Sequence, residues 1–267
     1  MLESTVAILG CGNIGGALAQ RLAGACKELR LFDSVAGKAL DLELAKAKVC
    51  SSVAEAAENA DLVVVALKPS GVLALLKEIS DVIAAKTVIV SVAAGVTIDD
   101  LSGSLPEGQP VVRVMPNLAM AFGQGMTGIF SKDKNASEQT EQLFSLVGRT
   151  VELDEESQID VITGVAGSGP AFIARAISGL KLAAEEAGIE STVSGEIAAQ
   201  TALGAAITLL ETGESPESLI ERVTTPGGTT EKGLAVLATR EFQQSMIEAV
   251  EAAILKAKQG MSDKEKS

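Results

Sequence analysis

Short apolar runs alternate with amphipathic stretches along the first part of the chain. Residues 6–9, 29–32, 62–67, 87–92 and 111–114 read as strands. Several consist almost wholly of Val, Ile, Leu and Ala, the composition of parallel strands buried on both faces. Helical periodicity fills the intervals at 13–23, 35–47, 70–83 and 97–102. This alternation predicts an α/β fold built on a doubly wound parallel sheet. Two later runs, 125–130 and 149–153, read as edge strands around a helix at 136–147. Beyond residue 154 the strand pattern stops. Alanine-rich helices are predicted at 171–187, 194–212, 216–223, 230–238 and 241–258, with breaks at Gly188, 213–216 and 226–228. The chain therefore reads as an α/β domain over 1–154 and an all-α domain over 155–267, with a charged, frayed tail from Gln259. The helix around 197–210 is rich in Ala and Gly and poor in charge. So small a helical domain buries such a surface more readily against a second copy of the chain than within itself.

Composition narrows the chemistry. The 267 residues are 47% hydrophobic and 21% charged, enough apolar material for a sizeable core. The net charge of −13 repels phosphate backbones, so nucleic acid is not an expected partner. His, Trp and Tyr are absent. No imidazole is available as base or metal ligand, and no phenol as acid. That excludes His-dependent triads, most zinc enzymes and dehydrogenases built on a catalytic His or Tyr. Cys11, Cys26 and Cys50 are odd in number and form no C-x-x-C pair, which fits a reducing compartment. No basic and apolar leader precedes the first strand, and the longest uncharged run, 114–130, is broken by Pro116, Asn117 and three glycines. The expectation is a soluble, cytoplasmic protein with no membrane partner and no metal.

The first predicted strand runs into Gly10-Cys11-Gly12-Asn13-Ile14-Gly15, a G-x-G-x-x-G motif between strand and helix. Gly10 permits the tight turn, Gly12 lets a pyrophosphate approach the backbone, and Gly15 allows the helix to pack closely. The helix start then presents free N–H groups to the phosphates. A methyltransferase glycine loop is the rival reading, but it is commonly preceded by an acidic residue where this chain has Ile8. The second strand ends at Asp33-Ser34, and 33 − 10 = 23 is close to the spacing of a ribose-binding carboxylate. Asp33 accepts from the 2′- and 3′-hydroxyls and repels a 2′-phosphate, which favours NADH over NADPH. Ala66-Leu67-Lys68-Pro69, Ala93-Ala94 and Asn117 end later strands at the same crevice. Lys68 is read as lying over the nicotinamide ribose or as a plain surface lysine, and Asn117 as a cofactor or substrate contact or a turn residue. In the second domain, Thr224-Thr225-Pro226-Gly227-Gly228-Thr229-Thr230 opens a helix whose first turn carries two hydroxyls. Such a turn either caps its helix or aims backbone N–H groups at a small anion such as a substrate carboxylate.

At these residues the chain resembles the pyrroline-5-carboxylate reductase family. The resemblance runs through Gly10 to Gly15, Ala66 to Pro69, Ala93 to Ile98, Val112 to Asn117, and Asp160 through Gly169-Pro170-Ala171. It continues through Gln200-Thr201, Gly204-Ala205-Ala206, and Val223 to Thr230, the most specific block. It implies a Rossmann dinucleotide-binding domain followed by an α-helical domain that dimerises and binds substrate. It also implies reduction of 1-pyrroline-5-carboxylate to L-proline with NADH or NADPH, and homodimers that often build larger rings. The carboxylate would be gripped by Gly227, Gly228, Thr229 and Thr230, with the Thr230 hydroxyl at the ring nitrogen. The chain departs from the family at Leu118-Ala119, where Thr-Pro is common, at Phe172, where Tyr is common, and at Asp33. A related imine reductase or β-hydroxyacid dehydrogenase, a nucleotide-sensing module and a scaffold protein are the other readings. Such dehydrogenases carry a lysine on the helix after their second glycine motif, whereas the helix after Gly167-Ser168-Gly169 opens Pro170-Ala171-Phe172-Ile173-Ala174-Arg175, without lysine near its start.

Overall fold

The computed structural model describes residues 1–42 and 46–259. The expected frayed tail lies outside them apart from Gln259, as do residues 43–45 of the expected helix at 35–47. The chain divides into two compact units. One comprises Met1–Gly167 together with the chain from Ala253, and the other Ser168–Ala252.

The first unit is built on eight strands: β1 (Leu2–Leu9), β2 (Cys26–Phe32), β3 (Ala47–Val49), β4 (Leu62–Val65), β5 (Val88–Ser91), β6 (Val111–Met115), β7 (Gly125–Ser131) and β8 (Gly148–Glu152). Their spatial order is β3-β2-β1-β4-β5-β6-β7-β8. The strand order reverses beside β1, between β2 and β4, which is where a doubly wound sheet opens its ligand crevice. The helices are α1 (Asn13–Leu22), α2 (Ala36–Leu40), α3 (Val53–Ala57), α4 (Pro69–Ile79), α5 (Ile98–Ser102), α6 (Lys134–Phe144) and α7 (Gln158–Ile162).

Alternation along the strands divides the core in two. Val6 and Ile8 of β1 join Leu29, Leu31, Val64 and Val90 under Leu18 and Leu22 of α1 and Phe144 of α6. Ala7 and Leu9 face the other way, with Val63, Val65 and Ile89 under Val72 and Leu76 of α4. Both faces are covered, as parallel strands of near-continuous Val, Ile and Leu require.

Two expectations need correction. The sheet is not parallel throughout, because β7 runs antiparallel to β6. Only residues 116–124 join them, too short for a parallel crossover. The helix expected at 35–47 appears only as Ala36–Leu40, and its last residue begins a strand. Ala47 and Val49 pair with Leu29 and Leu31 of β2, and this edge pairing overrides alanine's helix preference.

One buried ion pair ties several of these elements together. Arg113, on β6, is 5% exposed. Its Nη1 donates to Glu156 Oε1 at 2.6 Å, and the same oxygen accepts the Ile98 N–H at 2.7 Å. Burial pushes the neighbouring Asp160 carboxyl up, partly offset by the Arg113 charge.

The second unit holds α8 (Gly169–Glu186), α9 (Ser191–Thr212), α10 (Pro216–Val223), α11 (Thr229–Thr239) and most of α12 (Phe242–Lys258). Pro170 sits in the first turn of α8, where a missing N–H costs nothing. Burial is sparse. Ser194 and Ala198 are the buried residues of α9, while Leu203, Ile207 and Leu210 stay about half exposed. The continuous helical stretch Gln158–Glu186 and α9 are long and apolar enough to cross a membrane, and 11% of each apolar window is buried.

Glu156→Ala would strand a desolvated guanidinium. It is expected to lower stability by about 3 kcal/mol, read as a drop in midpoint in urea titration with the m-value unchanged.

Candidate active site

The turn from β1 into α1 assigns each motif glycine a separate task. Gly10 has φ +101°, and a Cβ there would lie 2.6 Å from the Ala66 carbonyl oxygen. Gly15 sits against the turn itself, where a Cβ would come within 1.9 Å of the Gly10 carbonyl oxygen. Gly12 differs from both. Its φ of −73° suits any residue, and a Cβ would meet no atom within 4 Å. Neither strain nor packing requires glycine at position 12, so the unfilled space is what a side chain there would remove. Gly12 is also the N-cap of α1, whose first turn has no side-chain cap. The helix start therefore offers N–H donors and the positive end of its dipole beside that space.

A crevice of about 660 Å³ opens here. Gly10, Gly12, Asn13 and Ile14 form one wall, and Asp33 and Ser34 the end of β2. Ala66, Leu67, Lys68 and Pro69 close it beyond β4, with Ala93 and Ala94 beyond β5. The strand expected at 62–67 ends at Val65, because α4 starts just beyond it, with Lys68 at its N-cap position and Pro69 in its first turn. The Asp33 carboxylate accepts the Cys11 N–H at 2.8 Å and the Val35 N–H at 2.9 Å, one on each oxygen. A carboxylate so held keeps lone pairs for further donors.

Cys11 and Gly15 belong to the turn behind this wall and do not line the crevice. The Cys11 thiol is 7% exposed, and burial together with the Asp33 charge pushes it up to about 11. Asn117 also stands outside the wall. Its Nδ2 donates to the Ala166 carbonyl at 3.0 Å, and its Oδ1 accepts the Met126 N–H at 3.3 Å. It tethers the end of β6 to β7 and to the π-helical segment Thr163–Gly167. Lys38, which sequence reasoning passed over, lines the crevice beside Asp33 and Ser34. Its signal was a lone basic residue five positions past the carboxylate.

In the second unit, the turn before α11 is held internally. Gly227 has φ +74°, and its N–H donates to Glu231 Oε2 at 2.5 Å. The Gly228 N–H donates to the Thr225 carbonyl at 2.9 Å. The expected grip by Gly227 and Gly228 is thus spent within the turn. Gly228 is the N-cap of α11, again with no side-chain cap. The outward donors at this helix start are the N–H groups of Thr229, Thr230 and Glu231. Thr230 is half-buried and Thr229 exposed.

Known proteins resemble this chain in sequence and fold. Residues 156–260 match the family profile described as pyrroline-5-carboxylate reductase dimerisation, and residues 5–95 that of NADP oxidoreductase, coenzyme F420-dependent. The pyrroline-5-carboxylate reductase of Pseudomonas aeruginosa is 35% identical over 95% of both chains. The chain belongs to the pyrroline-5-carboxylate reductase family. The solved structure of a family member from Coxiella burnetii is 30% identical, with a TM-score of 0.89 over 96% of this chain and 98% of that one. A pyrroline carboxylate reductase from Plasmodium falciparum, solved with NADP bound, is 26% identical, with a TM-score of 0.85 over 97% and 98%. Membership makes the chain an NAD(P)-dependent oxidoreductase with a dimerisation domain.

The glycine assignments separate binding from folding. Gly12→Ala is expected to keep the melting temperature within about 2 °C while weakening dinucleotide binding at least about tenfold. Gly15→Ala, clashing with backbone, is expected to abolish cooperative unfolding or cost more than about 3 kcal/mol. Calorimetry of both variants, scanning and with titrated nucleotide, checks the contrast.

Proposed function

We propose that this protein reduces 1-pyrroline-5-carboxylate to L-proline, the last step of proline synthesis, in a division of labour between residues 1–154 and 155–267. The observation that carries the reading is a pair of helix starts whose N-cap residue is a glycine, Gly12 and Gly228, with no side-chain cap. One borders the crevice at Gly12, and the other presents the Thr229 and Thr230 N–H groups. The first suits a pyrophosphate and the second a carboxylate. Family membership supplies the reaction that joins them.

Within this reading, Gly12 and the α1 start hold the pyrophosphate, and Asp33 holds the adenosine ribose. Lys68, Pro69, Ala93 and Ala94 border the nicotinamide end. A bound reduced nicotinamide supplies a hydride to the imine carbon. The protein's own task is alignment and charge, which suits a chain without His or Tyr. Thr229 and Thr230 N–H groups fix the carboxylate. The Thr230 hydroxyl hydrogen-bonds at the ring nitrogen, and the proton comes from solvent, since a threonine hydroxyl is too weak an acid to supply it alone. Asn117 acts as a tether and not as a cofactor contact.

Asp33 favours NADH, and Lys38 on the same wall carries the opposite charge. A homodimer, able to assemble into larger rings, is the expected state. A second copy covers the apolar faces of α8 and α9 that one chain leaves open. That cover, with no membrane, accounts for their exposure, and the protein works in the cytoplasm.

A spectrophotometric assay with pyrroline-5-carboxylate and each reduced nucleotide tests the function directly. Failure to oxidise either nucleotide would sink it. Thr230→Val is expected to lower kcat/KM for the imine about tenfold or more, the worth of one or two hydrogen bonds. Asp33→Ser is expected to move the NADPH/NADH ratio of kcat/KM upward. A ratio that stays put would remove Asp33 from cofactor choice.

A further inference from the structure

The Glu231 side chain lies in the first turn of α11 and reaches back to the Gly227 N–H at 2.5 Å. Glu55 makes the same reach in the first unit, accepting the Ser51 N–H at 2.7 Å from the first turn of α3. There the likeness ends. Glu55 is paired with Lys48 at 2.8 Å, and that pairing, with the Ser51 bonds, lowers its carboxyl to about 2. Glu231 has no ion-pair partner among the described residues. Its carboxylate is held at the Gly227 N–H, two residues before Thr229, in the same helix-start turn as the two N–H groups assigned to the substrate carboxylate.

A lone anion next to an anion seat weakens the binding of a simple carboxylate. It strengthens the binding of a ligand that carries a cation close to its carboxylate. In 1-pyrroline-5-carboxylate the ring nitrogen and the carboxylate share one carbon. The protonated imine and the product L-proline are both of this kind. We infer that Glu231 is a specificity-determining residue that makes the seat at Thr229 and Thr230 select ligands with a cationic nitrogen α to the carboxylate. The inference rests on the proposed function for the identity of the seat. The two groups act in opposite senses. Backbone donors take the carboxylate, and Glu231 offsets the positive nitrogen, so the seat as a whole matches a zwitterion. The hydrogen bond to Gly227 serves this by fixing the carboxylate within the turn instead of leaving it to swing in solvent.

The test compares L-proline with cyclopentanecarboxylate, which has the same ring size and carboxylate but no nitrogen. Dissociation constants are measured by calorimetry on the full-length protein in the presence of oxidised nicotinamide dinucleotide. Wild-type protein is expected to prefer L-proline. Glu231→Gln keeps a hydrogen-bond acceptor for Gly227 and removes the charge. It is expected to reduce that preference about fivefold, mainly by tighter binding of cyclopentanecarboxylate and weaker binding of proline. Glu231→Ala removes the charge without depending on the hydrogen bond and serves as the second variant. A preference unchanged in either variant overturns the inference. A wild-type protein that leaves pyrroline-5-carboxylate unreduced in the spectrophotometric assay overturns the underlying function instead, and the binding ratio keeps the two failures apart.

Discussion

The contact on which the first unit depends is backbone against backbone. The Gly10 carbonyl and the Gly15 Cα approach so closely that no side chain fits between them. This contact sets how α1 leaves the sheet. It brings the N-terminal turn of α1 to the carboxyl end of β1, beside the point where the strand order reverses. Asp33 reinforces the arrangement by accepting the Cys11 N–H, which joins the end of β2 to the same loop. The geometry that could hold a dinucleotide is thus inseparable from the packing of the first helix. Gly12 alone stands apart from that packing.

Both candidate seats for charge use the same device, a helix start left without a side-chain cap. Among the other described helices, α3, α5, α6, α9 and α10 are capped by their own side chains, while α2, α4, α7 and α8 also lack a side-chain cap but do not have glycine at the N-cap. Ser52 caps α3, Thr97 and Asp100 form a full capping box on α5, and Ser215 caps α10. A cap satisfies donors that would otherwise look outward. Leaving it out costs some helix stability and keeps those donors for a ligand. In a chain with neither imidazole nor phenol, oriented main-chain donors take over much of what side chains do elsewhere.

The strands of the central sheet were legible because burial on both faces demands unbroken runs of Val, Ile and Leu, which few other contexts produce. The glycine motif was legible because its spacing encodes three separate steric demands. What escaped was set by tertiary contact or by short-range chemistry too brief for periodicity. Ala47–Val49 is a strand only because β2 lies beside it. The direction of β7 follows from the length of the preceding connection. Helix α3 carried a readable signal, Ser52 followed three residues later by Glu55, but its five residues are too few to show a repeat. Within the sites, residue types along the chain showed which groups gather at strand and helix ends but not which N–H groups are already spent. Gly227 and Gly228 have theirs committed to Glu231 and Thr225, and Asn117 is turned away to Ala166 and Met126.

Cys11 sits in the middle of the glycine loop, a position where many chemical insults would silence a dinucleotide enzyme. Burial, with the Asp33 charge beside it, pushes its thiol up to about 11, so the reactive thiolate is disfavoured at neutral pH. Peroxides and electrophiles attack that form almost exclusively. Burial of the loop first, and the carboxylate that positions it second, thus keep the thiol protonated and away from such attack.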